Sequence, residues 1–324
     1  MPGRIVVVGE PAPGGLGSSI ISAFTMLGRS VGVVDWGPWR PAQLASAAFQ
    51  APRLAGGFRR RLRQEVDRLA GGDEADLVQV IKEPLLDTRT IEHFRKRMAA
   101  PVVCWNPDSP FDGAVSNRGA GIPSAIGAYD TYVTWADDVA ERLALQSAHV
   151  IVVPFAWDSE IHRPTAGRGL TEGRIVFVGT GSKERVELMR KIAHLRPLVF
   201  GNQWPAIEGV EIHPPAVGVE MSAIVGEAQW NLNPLRPQNA RSHNTRTFEV
   251  PGAGGNQLAP HTGDHERFLG SDSRTLLFHS HGELESILRS DPAELAPRQD
   301  DLLTEHTYVA RVRKLLTEVG LTVD

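Results

Sequence analysis

The chain has 324 residues, 41% of them hydrophobic and 22% charged, too long for one ordinary α/β domain and comfortable for two. Its 34 basic residues stand against 38 acidic ones, a net of −4, so charge gives no reason to expect a nucleic-acid partner. The single cysteine, Cys104, cannot close an internal disulfide, and neither a signal peptide nor an apolar run of membrane-spanning length is visible; a cytoplasmic location is expected.

The first elements read as one βαβ unit. Residues 4–9 (RIVVVG) are apolar and β-branched, a Gly/Pro-rich loop follows at 10–18, then a helical stretch and a second apolar run ending in Val34 and Asp35. Apolar runs at 76–81, 101–105, 130–134 and 148–153 predict further strands, with helical patterns at 87–98 and 136–146 between them. Continuous apolar strands alternating with helices imply a parallel sheet covered on both faces. Residues 154–173, rich in Pro, Gly and Arg, break the rhythm. From 174 the strand-then-glycine-loop opening recurs, with strands near 197–200, 229–232, 256–259 and 275–278 and helices near 183–195, 243–252 and 280–290. Residues 305–319 read as an amphipathic helix. The expected organisation is therefore an α/β domain over 1–160, a linker at 161–173, a second α/β domain over 174–304, and a last helix within 305–324. Two such domains put the carboxyl ends of their strands, where parallel sheets bind ligands, on either side of one cleft.

The segment Asn239–Pro260 carries the strongest chemical signal. Ser242 is a suitable helix N-cap, and a helix starting there would present backbone N–H groups to a phosphate. Arg241, His243 and Asn244 would add donors. Glu249 follows seven residues later, roughly 10 Å along the axis and on the same face, where a carboxylate can accept from the hydroxyls of a ribose. A capped helix with a surface glutamate is the plainer reading of the same spacing. A second loop, Gly179, Thr180, Gly181, Ser182 and Lys183, ends a strand and opens a helix, an anion-binding arrangement in which Lys183 or Arg185 would neutralise a diphosphate; a tight turn explains it equally well.

In the first domain, Gly14, Gly15 and Gly17 follow the first strand without the G-x-G-x-x-G spacing of a dinucleotide site, although Asp35 stands where such enzymes place a ribose-binding acid. The loop is expected to line the acceptor side of the cleft. Asp108 and Asp112, after the strand ending in Trp105, are candidate general bases toward an acceptor hydroxyl. Trp36, Trp39 and Trp105 would give a sugar or aromatic acceptor a flat surface, and Lys82, at the end of another strand, is expected to face the cleft, a solvated strand end being the plainer reading. The basic run Phe58–Arg63 is expected to be a solvated helix face. His261 and His265, at i and i+4, are the nearest approach to a metal pair; no resident metal or cofactor is expected.

Six segments in order, LVQVIKEPL at 77–85, WNPDSPFD at 105–112, VPFAWDSEIHRP at 153–164, IVFVGTGSKER at 175–185, SHNTRTFEVPGAGGNQLAP at 242–260 and EHTYVARVRKLL at 305–316, together resemble the CgeB-like (spore maturation protein) branch of the GT-B glycosyltransferases. The resemblance implies two Rossmann-like lobes, the acceptor mainly on the first and a sugar nucleotide on the second, with the last helix crossing back to the first. It implies that Glu249 binds the nucleotide ribose, that the helix start at Ser242–Asn244 meets the diphosphate with help from a basic residue in 181–185, and that Asp158 fixes the hinge. One position departs from the pattern: retaining enzymes with paired glutamates carry an acid eight residues before the ribose glutamate, and here that residue is Arg241.

The expected activity is glycosyl transfer from a nucleotide-diphosphate sugar to a hydroxyl of a small-molecule or glycan acceptor. Helix amides, Arg241, His243 and Lys183 would stabilise the departing diphosphate, and lobe closure would exclude water. A sugar-nucleotide epimerase, a non-catalytic nucleotide- or glycan-binding protein and, from the first glycine loop, a nicotinamide-dependent enzyme are the alternatives.

Overall fold

A computed structural model describes residues 3–39, 52–71, 74–82, 85–111, 125–146, 149–299 and 301–322. The chain divides into two compact units, Met1–Pro154 with Val309–Asp324, and Phe155–Tyr308.

In the first unit the described elements are β1 (Arg4–Gly9), α1 (Leu16–Met26), β2 (Ser30–Asp35), α2 (Pro52–Ala70), β3 (Leu77–Ile81), α3 (Thr88–Met98), β4 (Val102–Trp105), β5 (Thr131–Thr134), α4 (Asp137–Ala144) and β6 (Val150–Val152). The strands form one sheet in the order β2-β1-β3-β4-β5-β6, parallel throughout. Ile5, Val6, Val7 and Val8 are all 0% exposed, because neighbouring side chains point to opposite faces and both faces are covered. The basic run in α2 is less solvated than its composition predicts. Arg59 reaches the Leu85 carbonyl and pairs with Asp87 at 3.1 Å, Arg61 lies over the Trp39 ring, and Arg63 donates to Thr90 Oγ1. These arginines pin the helix to its neighbours.

The second unit contains β7 (Ile175–Val178), α5 (Lys183–Lys191), β8 (Leu198–Phe200), β9 (Glu211–His213), α6 (Gly218–Glu227), β10 (Trp230–Leu232), α7 (Arg246–Gly252), β11 (Gln257–Pro260), α8 (Gly263–Leu269), β12 (Thr275–Phe278) and α9 (His281–Leu288). Its parallel sheet runs β12-β11-β10-β7-β8-β9. The chain builds outward from β7 to β9, then returns to β7's other side with β10. The carboxyl ends of β7 and β10 thus flank the topological switch point, where open α/β sheets bind ligands.

The segment read as a linker, 161–173, packs onto this second unit. Ser222 donates to the Ile161 carbonyl, Thr171 donates to the Ile224 carbonyl and is 0% exposed, and Glu172 bridges Ala228. Its prolines and glycines shape a fitted crossing over α6 instead of a free tether. The final helix, α10 (Tyr308–Glu318), takes the chain back to the first unit, where Lys314 Nζ donates to the Val152 carbonyl at 3.1 Å. Among the described residues no helix is long and apolar enough to cross a membrane.

Candidate functional site

The second unit's switch point is spanned by Arg185. Its Nη1 donates to the Thr180 carbonyl just past β7, and its Nη2 donates to the Pro234 carbonyl just past β10, both at 3.0 Å. The side chain lies against the Phe177 ring and is only 8% exposed, while its Nε has no hydrogen-bond partner. A buried guanidinium N–H without an acceptor is costly unless something arrives to accept from it. Burial, with the charges of Arg236 and Arg246 beside it, lowers the Arg185 pKa to about 10. It stays charged at neutral pH, so three cations converge at the ends of β7 and β10. Arg246 donates through Nε to the Val178 carbonyl at 3.3 Å and pairs with Glu249.

The glycine loop between β7 and α5 reaches the site in a different way than expected. Gly179 N donates to the Phe200 carbonyl and Gly181 N to the Asn202 carbonyl, so these two amides extend the β7–β8 ladder and do not cradle a phosphate. A side chain on Gly181 would lie 2.3 Å from the Gln203 carbonyl oxygen, which explains the glycine by close backbone approach. Ser182 caps α5, accepting from Arg185 N. Lys183 is exposed at the helix's first position.

The approach to α7 also corrects the sequence reading. The helix begins at Arg246, three residues later than a Ser242 cap requires. Asn244 closes the first turn instead: its Oδ1 accepts from Thr247 N at 3.1 Å and its Nδ2 donates to Asn233 Oδ1 at 2.7 Å. Ser242 donates to Asp264. His243 is 0% exposed; its Nε2 accepts from Phe155 N at 3.0 Å and its Nδ1 meets Asp264 Oδ2 at 2.7 Å, within a cage of Phe155, Phe248 and Phe268. Burial alone would raise the Asp264 carboxyl, but hydrogen bonds from His243 and Ser242 outweigh it and hold its pKa below the ordinary value. With both ring nitrogens engaged, His243 offers neither a proton shuttle nor a phosphate donor, and Ser242 is likewise committed. Arg241 is exposed beside them. Pro251, inside α7, lacks the N–H that would reach the Thr247 carbonyl; Gln257 Nε2 donates to that carbonyl at 3.3 Å.

Glu249 is 6% exposed. Arg246 engages its Oε2, and His162 Nε2 stands 3.8 Å from its Oε1. Arg298 fixes the turn behind α7, donating to the carbonyls of Pro251 and Gly255 while binding both oxygens of Asp272. Arg236, Arg246 and His162 went unread in the sequence. Only the Arg-x-x-Glu spacing of Arg246 and Glu249, neighbours at i,i+3 on a helix, offered a signal. His265 belongs to the packing beneath. Its Nδ1 donates to the Pro260 carbonyl at 2.7 Å and its Nε2 meets Thr247 Oγ1 at 3.0 Å, while His261 stacks on His279, so the two do not form a metal pair.

In the first unit, Lys82 and Asp108 come together as an ion pair at the ends of β3 and β4. Lys82 takes φ 36°, a left-handed conformation uncommon for a residue with a side chain and typical of constrained sites. Asp108 N donates to Asn106 Oδ1. Asp112 lies outside the described residues. The expected aromatic platform does not form: Trp105 is 2% and Trp36 8% exposed, both buried by the sheet ends they occupy, and Trp39 is covered by Arg61. Gly15 precedes α1 as its N-cap residue. Gly14 has φ 73°, and a side chain on Gly17 would lie 2.1 Å from the Glu10 carbonyl oxygen. Asp35 accepts from Gly37 N in a local turn.

Residues 183–317 match a family model described as glycosyl transferase-like, a span under half the chain. A structure of α,α-trehalose 6-phosphate synthase from Burkholderia multivorans is similar with a TM-score of 0.67 at 11% identity, over 98% of each chain. The UDP-forming α,α-trehalose-phosphate synthase of Burkholderia xenovorans, in complex with glucose-6-phosphate, gives 0.67 at 12% identity, over 98% of this chain and 100% of that one. The fold is GT-B. The UDP-GlcNAc 2-epimerase of Methanocaldococcus jannaschii shares it with a TM-score of 0.54 at 9% identity, over 97% of this chain and 99% of the other. No curated protein sequence matches this GT-B chain.

Proposed function

We propose that the chain is a glycosyltransferase that takes a nucleotide-diphosphate sugar on its second unit and passes the sugar to a hydroxyl of a small-molecule or glycan acceptor bound by its first. One observation carries the reading: Arg185, Arg236 and Arg246 converge at the switch point of the second sheet, with an unpartnered buried N–H on Arg185. A cluster of this kind suits the diphosphate, whose charge grows as the sugar leaves. Glu249 supports the ribose end of the reading. A carboxylate has about four acceptor positions; Arg246 uses one, and His162 faces another.

On the first unit, Asp108 is the candidate base and the Lys82 ammonium holds it in place. Placement within a CgeB-like branch rests on the quoted sequence segments, and a cytoplasmic location on the lone cysteine. The likeness to a UDP-GlcNAc 2-epimerase favours a second reading, epimerisation of the donor, which would use the same arginines and need no acceptor.

The test is a panel of UDP-, GDP-, dTDP- and ADP-sugars. One of them should raise the unfolding temperature, with about 3 kcal/mol of stabilisation at a hundredfold excess over its Kd, and should release nucleoside diphosphate only when an acceptor is present. An isomerised sugar nucleotide formed without acceptor supports the epimerase, and binding without any turnover supports a binding protein. No binding by any member contradicts the proposal.

A further inference from the structure

His162 is 2% exposed and lies in the segment that crosses from the first unit's last strand. Asp158 starts a tight turn there: its Oδ1 accepts from Glu160 N at 3.0 Å, its carbonyl accepts from Ile161 N and His162 N, and its own N–H donates to His162 Nδ1 at 3.1 Å. A ring nitrogen that accepts from a backbone N–H carries no proton, so the imidazole proton sits on Nε2. That nitrogen faces Glu249 Oε1 at 3.8 Å, the oxygen opposite the one Arg246 holds. The contact is longer than a hydrogen bond. In so buried a place it still acts on the carboxylate, because the charge there is weakly screened. Trp157, from the same segment, closes the other side: a side chain on Gly252 would lie 2.4 Å from its ring, so α7 and the crossing segment are fitted to each other.

We infer that His162 is a positioning residue for Glu249, holding that carboxylate in the orientation in which it meets the ribose hydroxyls of the donor. The inference rests on the proposed role of Glu249. It gives the segment 158–162 a function beyond fixing the chain's crossing: the backbone of Asp158 sets the imidazole tautomer, and the imidazole sets the carboxylate.

Two amide substitutions separate the ring's two nitrogens. His162→Gln places an N–H near the Nε2 position, and His162→Asn keeps an acceptor for Asp158 N but does not reach Glu249. The readout is calorimetric affinity for UDP, GDP and ADP, for their 2′,3′-dideoxy forms, and for inorganic pyrophosphate, with the full-length chain. For whichever ribonucleotide the wild type binds, His162→Asn should weaken it about tenfold, the cost of a carboxylate no longer held toward the ribose, and should leave the dideoxy form and pyrophosphate within twofold. His162→Gln should restore discrimination between ribose and dideoxyribose. If the Asn variant does not fold, His162→Phe, which keeps a planar ring and removes both the donor toward Glu249 and the acceptor for Asp158 N, takes its place. Unchanged discrimination in the Asn or Phe variant, while Glu249→Ala abolishes it, overturns the role of His162 and leaves that of Glu249 standing. Loss of pyrophosphate and dideoxy binding to the same extent as ribonucleotide binding also overturns it, as a general packing effect. Discrimination that survives in Glu249→Ala removes both.

Discussion

Arg185 donates to the Pro234 carbonyl at 3.0 Å, joining the loop after β7 to the loop after β10 across the second sheet's switch point. That bond turns two strand ends into one wall, and the arginine that makes it leaves its Nε without an acceptor. Replacing Arg185 by Gln should weaken nucleoside diphosphate binding by about ten- to a hundredfold, as expected for losing hydrogen bonds from a charged, buried group. It should also lower the unfolding temperature, because two loop carbonyls lose their donor.

Arg236 is exposed and acts by charge. Arg236→Gln should weaken the same ligand by only about three- to tenfold, with the difference shrinking as salt rises from 50 to 500 mM, since an exposed charge is screened and a buried one much less. Titration calorimetry at both salt concentrations reads the contrast with Arg185→Gln.

Asp108→Asn removes the candidate base and half of the Lys82 ion pair. Turnover should fall by about a hundredfold or more, the usual contribution of a positioned base, while nucleotide affinity stays within twofold because Asp108 belongs to the first unit. Single-turnover kinetics beside calorimetry separates the two effects.

His265 gives a stability signature. Burial outweighs its hydrogen bond to the Pro260 carbonyl and lowers its pKa from 6.5 to about 4. Between those values the unfolded chain binds a proton that the folded chain refuses, so this residue's contribution is present above pH 6.5 and is lost as pH falls toward 4. Wild type should lose about 2 kcal/mol more stability between pH 7 and pH 4.5 than His265→Gln does, at about 1.4 kcal/mol per pKa unit. Urea denaturation of both proteins at the two pH values checks it.

Asp272 has a fully buried side chain whose two oxygens take Arg298. Arg298→Met strands that charge and releases the carbonyls of Pro251 and Gly255. The cost should be about 3–5 kcal/mol in urea denaturation.

Much of this fold is written locally. β1, with four consecutive residues at 0% exposure, could only be a strand covered on both faces, and the recurrence of strand, loop and helix after 174 announced the second sheet. β9 was missed because Glu211–His213 is an edge strand with exposed residues and no apolar run. The start of α7 was misplaced because Ser242 and Asn244 are both good caps. Tertiary partners decide between them: Asp264 claims Ser242 and Asn233 claims the amide of Asn244. Arg246 goes unread for a related reason. Sequence distance hides that strand order places Arg246 against Val178, and no periodicity reports which of two nearby cations points inward.

The most direct measurement is the position of the phosphates in a crystal of the chain grown with the nucleoside diphosphate that it binds. Phosphate oxygens should lie within hydrogen-bond distance of Arg185 and Arg246, with a ribose hydroxyl on Glu249. A nucleotide seated instead on the Gly14–Gly17 loop of the first unit, leaving those three side chains untouched, would contradict the account.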